Sequence, residues 1–371
     1  MRVKGLKLEY FRNYLSAEVQ FHPGMNIITG DNAQGKTNLL EAIGCLSTGK
    51  SHRARYDKEM ILFGVQHGFI TGEIFSRGRD HTVEIALCDH ARKQMTSNGV
   101  KLKKTSELSE ILNTVLFCPE DLYLIRAGAA ERRQFLDDTI SQLRPRYADA
   151  LEQYNKAWKA KSTILRDQEE NPGMLDVLDD FSLQMCKYGA VITHYRAHFI
   201  KRLGELAPAI HREFSGGRER LELVYEPEST ITDPLAGTKI LFDQIMDHME
   251  QYREAELASR KCLTGPHRDE LRVDIDGRLA RQYASQGQTR TAALSLKLAQ
   301  RDLIYDERGE YPVLLLDEVR SELDPKRQEF VLNRIQGGQV FLTCCEEERL
   351  SELVEGKVFR VKDGKIFEDH F

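Results

Sequence analysis

Gly30-Asp31-Asn32-Ala33-Gln34-Gly35-Lys36-Thr37 decides how this sequence is read. It fits the pattern GxxxxGK[ST], with a short apolar run, Met25–Thr29, before it and a segment of helical spacing, Lys36–Leu46, after it. A strand, a glycine-rich loop and a helix in that order make a phosphate cradle. The glycines let backbone N–H groups curl around phosphate oxygens with no side chain in the way. The helix amino end adds partial positive charge. Lys36 is expected to pair the β- and γ-phosphates and Thr37 to hold Mg²⁺. The motif therefore points to a nucleoside triphosphate site of the Walker A type.

The partner motif stands far downstream. Val313-Leu314-Leu315-Leu316-Asp317-Glu318 is an apolar strand that ends in two acids. Asp317 is placed to complete the Mg²⁺ shell and Glu318 to activate water. About 280 residues separate Lys36 from Asp317, a gap that a compact P-loop enzyme does not need. Strand patterns fill the ends of the chain, with Val3, Leu6, Leu8 and Tyr10 sharing one extended segment and another at Ala17–Phe21. The middle follows a helical period instead. Leu136, Ile140, Leu143, Tyr147, Leu151, Tyr154 and Trp158 predict one long amphipathic helix, on the order of 50 Å, with Trp158 in its packed seam. Asn171-Pro172-Gly173 interrupts the pattern, which resumes over Leu178–Leu206, so an antiparallel helical hairpin is expected. Strands at Leu221–Tyr225 and Leu271–Ile275 precede the return to α/β. The expected fold is α/β, a sheet domain split by an inserted helical arm. Its bounds are residues 1–125 and 295–371 for the sheet domain and 126–294 for the arm lobe.

Composition narrows the class. The chain has 371 residues, 41% hydrophobic and 30% charged, as globular proteins do. No apolar run approaches the roughly 20 residues of a membrane span. Seven cysteines without a CxxC pair do not make a disulfide framework, so a reducing, cytoplasmic setting is expected. With 53 basic and 58 acidic residues the net charge is −5, which excludes a protein that coats nucleic acid with its whole surface. Local clusters remain. Lys50, Arg53 and Arg55 have no acid between them, nor do Lys101, Lys103 and Lys104, and both groups are candidate DNA contacts. A further run, Lys156, Lys159, Lys161 and Arg166, lies on the helical arm.

Taken together, several segments resemble the RecF family, relatives of the ATP-binding-cassette heads of chromosome-maintenance proteins. They are Phe11–Tyr14, the loop at 30–37, Phe117–Leu122, Arg132–Asp137, Gly265–Asp269, Ser285–Gln288 and Leu316–Asp324. The resemblance implies an ABC-type P-loop head that binds ATP and Mg²⁺ and hydrolyses ATP slowly. It also implies DNA binding and an ATP-dependent homodimer, in which Ser285, Gly287 and Gln288 cap the γ-phosphate held by the other subunit. Arg12 and Asn13 are implied near the nucleotide, and Glu120 near the lobe-joining loop. RecR, RecO and RecA are the implied partners at gapped or stalled DNA. Two departures stand out. Glu318 replaces a second Asp, and Thr343-Cys344-Cys345 lacks the histidine of transporter-type cassettes. A structural DNA-organising head with long coiled coils is the alternative, which the short arm disfavours.

Overall fold

The computed structural model describes residues 1–227, 230–318, 325–335, 337–344 and 356–369. The chain divides into two compact units, Met1–Asp121 with Ala293–Phe371, and Leu122–Ala292. Among the described residues no helix is long and apolar enough to cross a membrane.

The first unit holds two six-stranded sheets around a central helix. One has the order β2-β1-β4-β5-β6-β7 and is antiparallel. Its strands are β1 (Arg2–Phe11), β2 (Tyr14–Gln20), β4 (His67–Ser76), β5 (Arg79–Cys88), β6 (Gln94–Ser97) and β7 (Val100–Lys101). The other has the order β15-β14-β3-β13-β12-β8. It contains β3 (Met25–Thr29), β8 (Thr114–Phe117), β12 (Val313–Leu316), β13 (Val340–Cys344), β14 (Gly356–Lys362) and β15 (Lys365–Asp369), parallel but for β15. Helix α1 (Lys36–Thr48) buries Leu39, Leu40, Ile43 and Leu46 in the core that both sheets share. Gly72 on β4 makes room for it: a Cβ there would meet Leu46 Cδ1 at 2.3 Å. All five residues of β3 and all four of β12 are buried, as expected of strands inside a parallel sheet.

The alternation of β1 breaks near both of its ends. The register shifts between Val3 and Gly5, a bulge that lets Val3 and Leu6, three apart, face the same core. Tyr10 is exposed with φ 54°, and Phe11 is buried in its stead.

In the second unit, α2 (Tyr123–Arg126), α3 (Ala129–Leu143), α4 (Pro145–Asp167), α5 (Leu178–Phe214), α6 (Thr238–Ser259) and α7 (Ala280–Tyr283) surround a small sheet of order β11-β10-β9. Its strands are β9 (Leu221–Glu226), β10 (Glu270–Ile275) and β11 (Arg278–Leu279). Helix α8 (Gln286–Arg308) and helix α9 (Pro325–Arg334) follow. The single long helix expected over 136–158 is two helices. Pro145 opens α4, and the residue before it, Arg144, is extended at φ −133°, ψ 94°, because a following proline disfavours the helical region. The hairpin partners are therefore α4, 23 residues and about 35 Å, and α5, 37 residues and about 55 Å.

They join through a buried network. Arg196 on α5 bonds Asp137, Tyr147 Oη at 3.2 Å, the Pro266 carbonyl at 2.6 Å and Asp269 at 3.0 Å. Lys161 and Glu256 form a second buried pair at 2.6 Å.

Candidate nucleotide-binding site

The loop between β3 and α1 has the backbone that its glycines foretell. Gly30 takes φ 142° and Gly35 φ 120°, and Ala33 sits at φ 66°, where an L side chain is strained. Neither glycine has room for a methyl group. A Cβ on Gly30 would meet the Val361 carbonyl oxygen at 2.3 Å, and one on Gly35 would meet the Asn13 amide at 2.8 Å. Lys36, nearly buried, lies back along the loop and donates from Nζ to the carbonyls of Gly30 (2.6 Å) and Asp31 (3.0 Å). Gln34 accepts at Oε1 from the Asp363 N–H (2.6 Å), and its carbonyl accepts from Asn13 Nδ2 (2.7 Å). The loop is thus braced from the β1–β2 turn on one side and the β14–β15 turn on the other.

Parallel pairing of β12 beside β13 carries the distant acids to this loop. Thr37 Oγ1 donates to Asp317 Oδ1 at 3.1 Å across 280 positions of sequence. Thr343, at the end of β13, donates to the same oxygen at 2.7 Å and accepts from the Glu318 N–H at 2.9 Å. Glu318 itself sits at φ 52°. Thr37 hydroxyl and Asp317 carboxylate make a hard-oxygen pair, the donor chemistry that Mg²⁺ prefers, so the residues present fit that ion. Thr343 had no role assigned from sequence. Its place at the end of a buried strand parallel to β12 was the only signal.

Arg12 and Arg53 share a carboxylate under the loop. Glu41 on α1 is fully buried. It accepts from Arg12 Nε (2.8 Å) and Nη2 (2.6 Å), from Arg53 Nη2 (2.7 Å) and from the Ser51 hydroxyl. Burial pushes this carboxyl up, but the bonds from Arg12, Ser51 and Arg53 outweigh it and hold it down at about 2. Arg53 also donates to Asn38 Oδ1 (2.5 Å), and Asn38 donates to Asn13 Oδ1 (2.8 Å). Arg53 was expected to be a cation with no carboxylate near it. That expectation fails, because α1 presents an acid the local sequence does not contain.

The same correction reaches the other clusters. Lys156 pairs with Glu152, Lys161 with Glu256 and Arg166 with Asp167. Lys50, Arg55, Lys101, Lys103 and Lys104 remain exposed. The Arg55 guanidinium lies over the Tyr56 ring at 5.4 Å, and the backbone N–H groups of Lys103 and Lys104 donate to Glu107.

In the second unit, Ser285 and Gln288 make a capping box at the start of α8. The Ser285 N–H donates to Gln288 Oε1 (2.9 Å) and the Gln288 N–H to Ser285 Oγ (3.3 Å). The Ser285 hydroxyl proton stays available to an anion, and Ser285 is exposed. Gly287 supplies the carbonyl that Thr291 Oγ1 bonds at 2.9 Å. Glu120 lies exposed on a short 3₁₀ turn, Pro119–Leu122. Residues 321–324, part of the downstream motif, and Cys345 lie outside the described residues. Trp158, expected in the helical seam, is instead at the surface.

Comparison with known proteins bears on this geometry. The RecF/RecN/SMC N-terminal domain pattern matches residues 2–366. The chain belongs to that family. A DNA replication and repair protein RecF from Agathobacter rectalis is 39% identical over 371 residues, 99% of each chain. The RecF of Alkaliphilus oremlandii is 38% identical over 99% of this chain and all of its own. The solved structure of the recombination mediator RecF with ATPγS in the RecFOR pathway superposes with a TM-score of 0.92 at 33% identity, covering 100% of this chain and 98% of that one. Its ATP-bound counterpart gives 0.91 at the same identity, covering 99% of this chain and 97% of that one. An SMC head bound to the winged-helix domain of ScpA, 15% identical, has a TM-score of 0.58 over 100% of this chain and 98% of its own, and shares the fold alone.

Proposed function

We propose that this protein is an ATP-dependent DNA-binding protein of recombinational repair and replication, working as an ATP-gated homodimer that hydrolyses ATP slowly. The observation that carries the reading is the meeting of Thr37, Asp317 and Thr343 at the braced loop, in a chain whose full length matches RecF proteins solved with nucleotide. Lys36 exchanges its two loop carbonyls for phosphate oxygens, and the N–H groups of Asp31, Asn32, Ala33, Gln34 and Gly35 cradle them. Mg²⁺, held by Thr37 and Asp317, neutralises phosphate charge when bound. Glu318 takes the proton from the attacking water, and Thr343 holds the Glu318 backbone in the left-handed conformation that aims it. Arg12 and Asn13 orient the nucleotide from the β1–β2 side. Ser285, Gly287 and Gln288 of one copy cap the γ-phosphate bound by the other, so ATP holds two copies together. The dimer, with RecR and RecO, prepares gapped DNA for RecA.

Sedimentation with and without ATP tests this. Lys36→Ala is expected to lose ATP binding and association together. Glu318→Gln is expected to bind ATP and accumulate as a dimer, since only the base is removed. Ser285→Arg is expected to bind ATP and stay monomeric. Normal association of Ser285→Arg would refute the shared site.

A further inference from the structure

The chain has one tryptophan, Trp158 on α4, and 37% of its surface is open to solvent. The indole rests on the imidazole of His267, ring centroids 5.3 Å apart and planes inclined by 34°. His267 is itself fixed: Tyr154 Oη lies 2.7 Å from Nδ1 and the Cys262 carbonyl 3.5 Å from Nε2. Gly265, at φ 121°, lets the loop close on Tyr154, whose Oη would stand 2.2 Å from an added Cβ. Burial pushes the imidazole down to about 4, so the support beneath the indole is neutral at physiological pH. The result is a partly exposed indole braced from one side by an uncharged ring.

Three cations, Arg268, Arg133 and Lys161, bear on His267. Lys161 is committed to Glu256, and Arg133 donates to the Asp269 carbonyl at 2.8 Å. Arg268 and Lys159, both exposed, have no side-chain partner among the described residues. A partly exposed indole stacked on the loop that carries Arg268, with Lys159 next to it in sequence, suits a ligand that is aromatic and anionic at once. A nucleotide strand with its bases free is such a ligand, since every base has a π-face and every linkage a charge. A duplex keeps its bases stacked on one another and leaves the indole unused.

We propose that this patch binds a single-stranded DNA segment, with one base stacked on Trp158 and neighbouring phosphates on Arg268 and Lys159. The inference rests on the DNA-binding reading above, and the test separates the two. Because Trp158 is unique, its emission reports this site alone. The full-length protein with ATP is titrated with a 20-nucleotide oligothymidylate and with a duplex of equal length, while anisotropy of labelled DNA follows binding in parallel. The single strand is expected to quench the emission and the duplex to leave it unchanged. Trp158→Ala is expected to weaken single-strand binding on the order of tenfold, and Trp158→Phe to restore most of it. Arg268→Ala should shallow the single-strand salt slope by about 0.7. Strand binding with silent emission, quenching by the duplex alone, or full affinity in Trp158→Ala would overturn the proposal while leaving DNA binding intact. No binding of either DNA would bring down the DNA-binding reading, and this patch with it.

Discussion

Glu41 shows what a single side chain does here. Its carboxyl sits at about 2 in the folded protein, against 4.5 for the free group. A depressed carboxyl contributes stability that is fully present above about pH 4.5 and is lost as pH falls toward 2, here about 3 kcal/mol. Glu41→Gln should therefore lower stability at pH 7 by about 2–3 kcal/mol and approach the wild type near pH 2. Urea denaturation across that range measures it, and an equal loss at every pH would remove charge from the explanation. The same residue redirects the DNA contacts. All three cations are exposed, but Arg53 is tied to Glu41, whereas the Lys50 and Arg55 side chains have no carboxylate partner among the described residues. Replacing Lys50 and Arg55 by Ala should shallow the duplex salt slope by up to about two units, while Arg53→Ala should leave the slope unchanged and weaken ATP binding instead. A salt titration beside an ATP titration distinguishes them. Reading basic clusters along the chain missed this, because an acid-free stretch of sequence says nothing about acids that another helix brings up. The loop at 30–37 was legible because its glycine, lysine and threonine pattern is contiguous in sequence, although Asn13, Val361 and Asp363 brace it from afar.

At the scale of elements, the cap of α8 carries two roles that substitution can pull apart. Ser285 Oγ accepts the Gln288 N–H, and its proton is free for phosphate. Ser285→Asp keeps the accepting oxygen and should hold stability within about 0.5 kcal/mol of wild type. It also aims a carboxylate at the proposed triphosphate and should abolish ATP-driven association. Ser285→Ala, by contrast, should cost about 1 kcal/mol through the lost cap. Thermal unfolding and sedimentation of both variants check the separation, and association of Ser285→Asp at wild-type levels would deny the phosphate contact. Element type was readable wherever periodicity ran unbroken, as in β3, β12 and α5. It failed at α3–α4, where a step of four from Leu143 to Tyr147 carried the pattern straight across a break. Pro145 and the extended Arg144 were the signal there, and backbone sterics outweighed the seam.

For the whole molecule, ATP should act as a ligand of the folded and associated state only. At a concentration of 100 times its Kd, it should raise the apparent stability by about 2.7 kcal/mol. Association adds a dependence on protein concentration that ATP-free samples lack. Scanning calorimetry at two protein concentrations reads both effects, and Lys36→Ala should show neither; a rise in Tm that persists in Lys36→Ala would place the nucleotide elsewhere. The order of strands in the parallel sheet has a further consequence, one of timing. β3 lies between β13 and β14, and β8 pairs only with β12. Among the described residues, nothing made before Val313 gives either early strand a neighbour in that sheet. A growing chain on the ribosome must carry the apolar strand Met25–Thr29 with both edges bare through most of its synthesis, a hazard for sticking to other chains. The loop at 30–37 cannot be braced from the β14–β15 side until Asp363 and Gly364 have left the exit tunnel. A message cut short before Asp363 is therefore expected to yield a product whose loop lacks its brace from the β14–β15 turn.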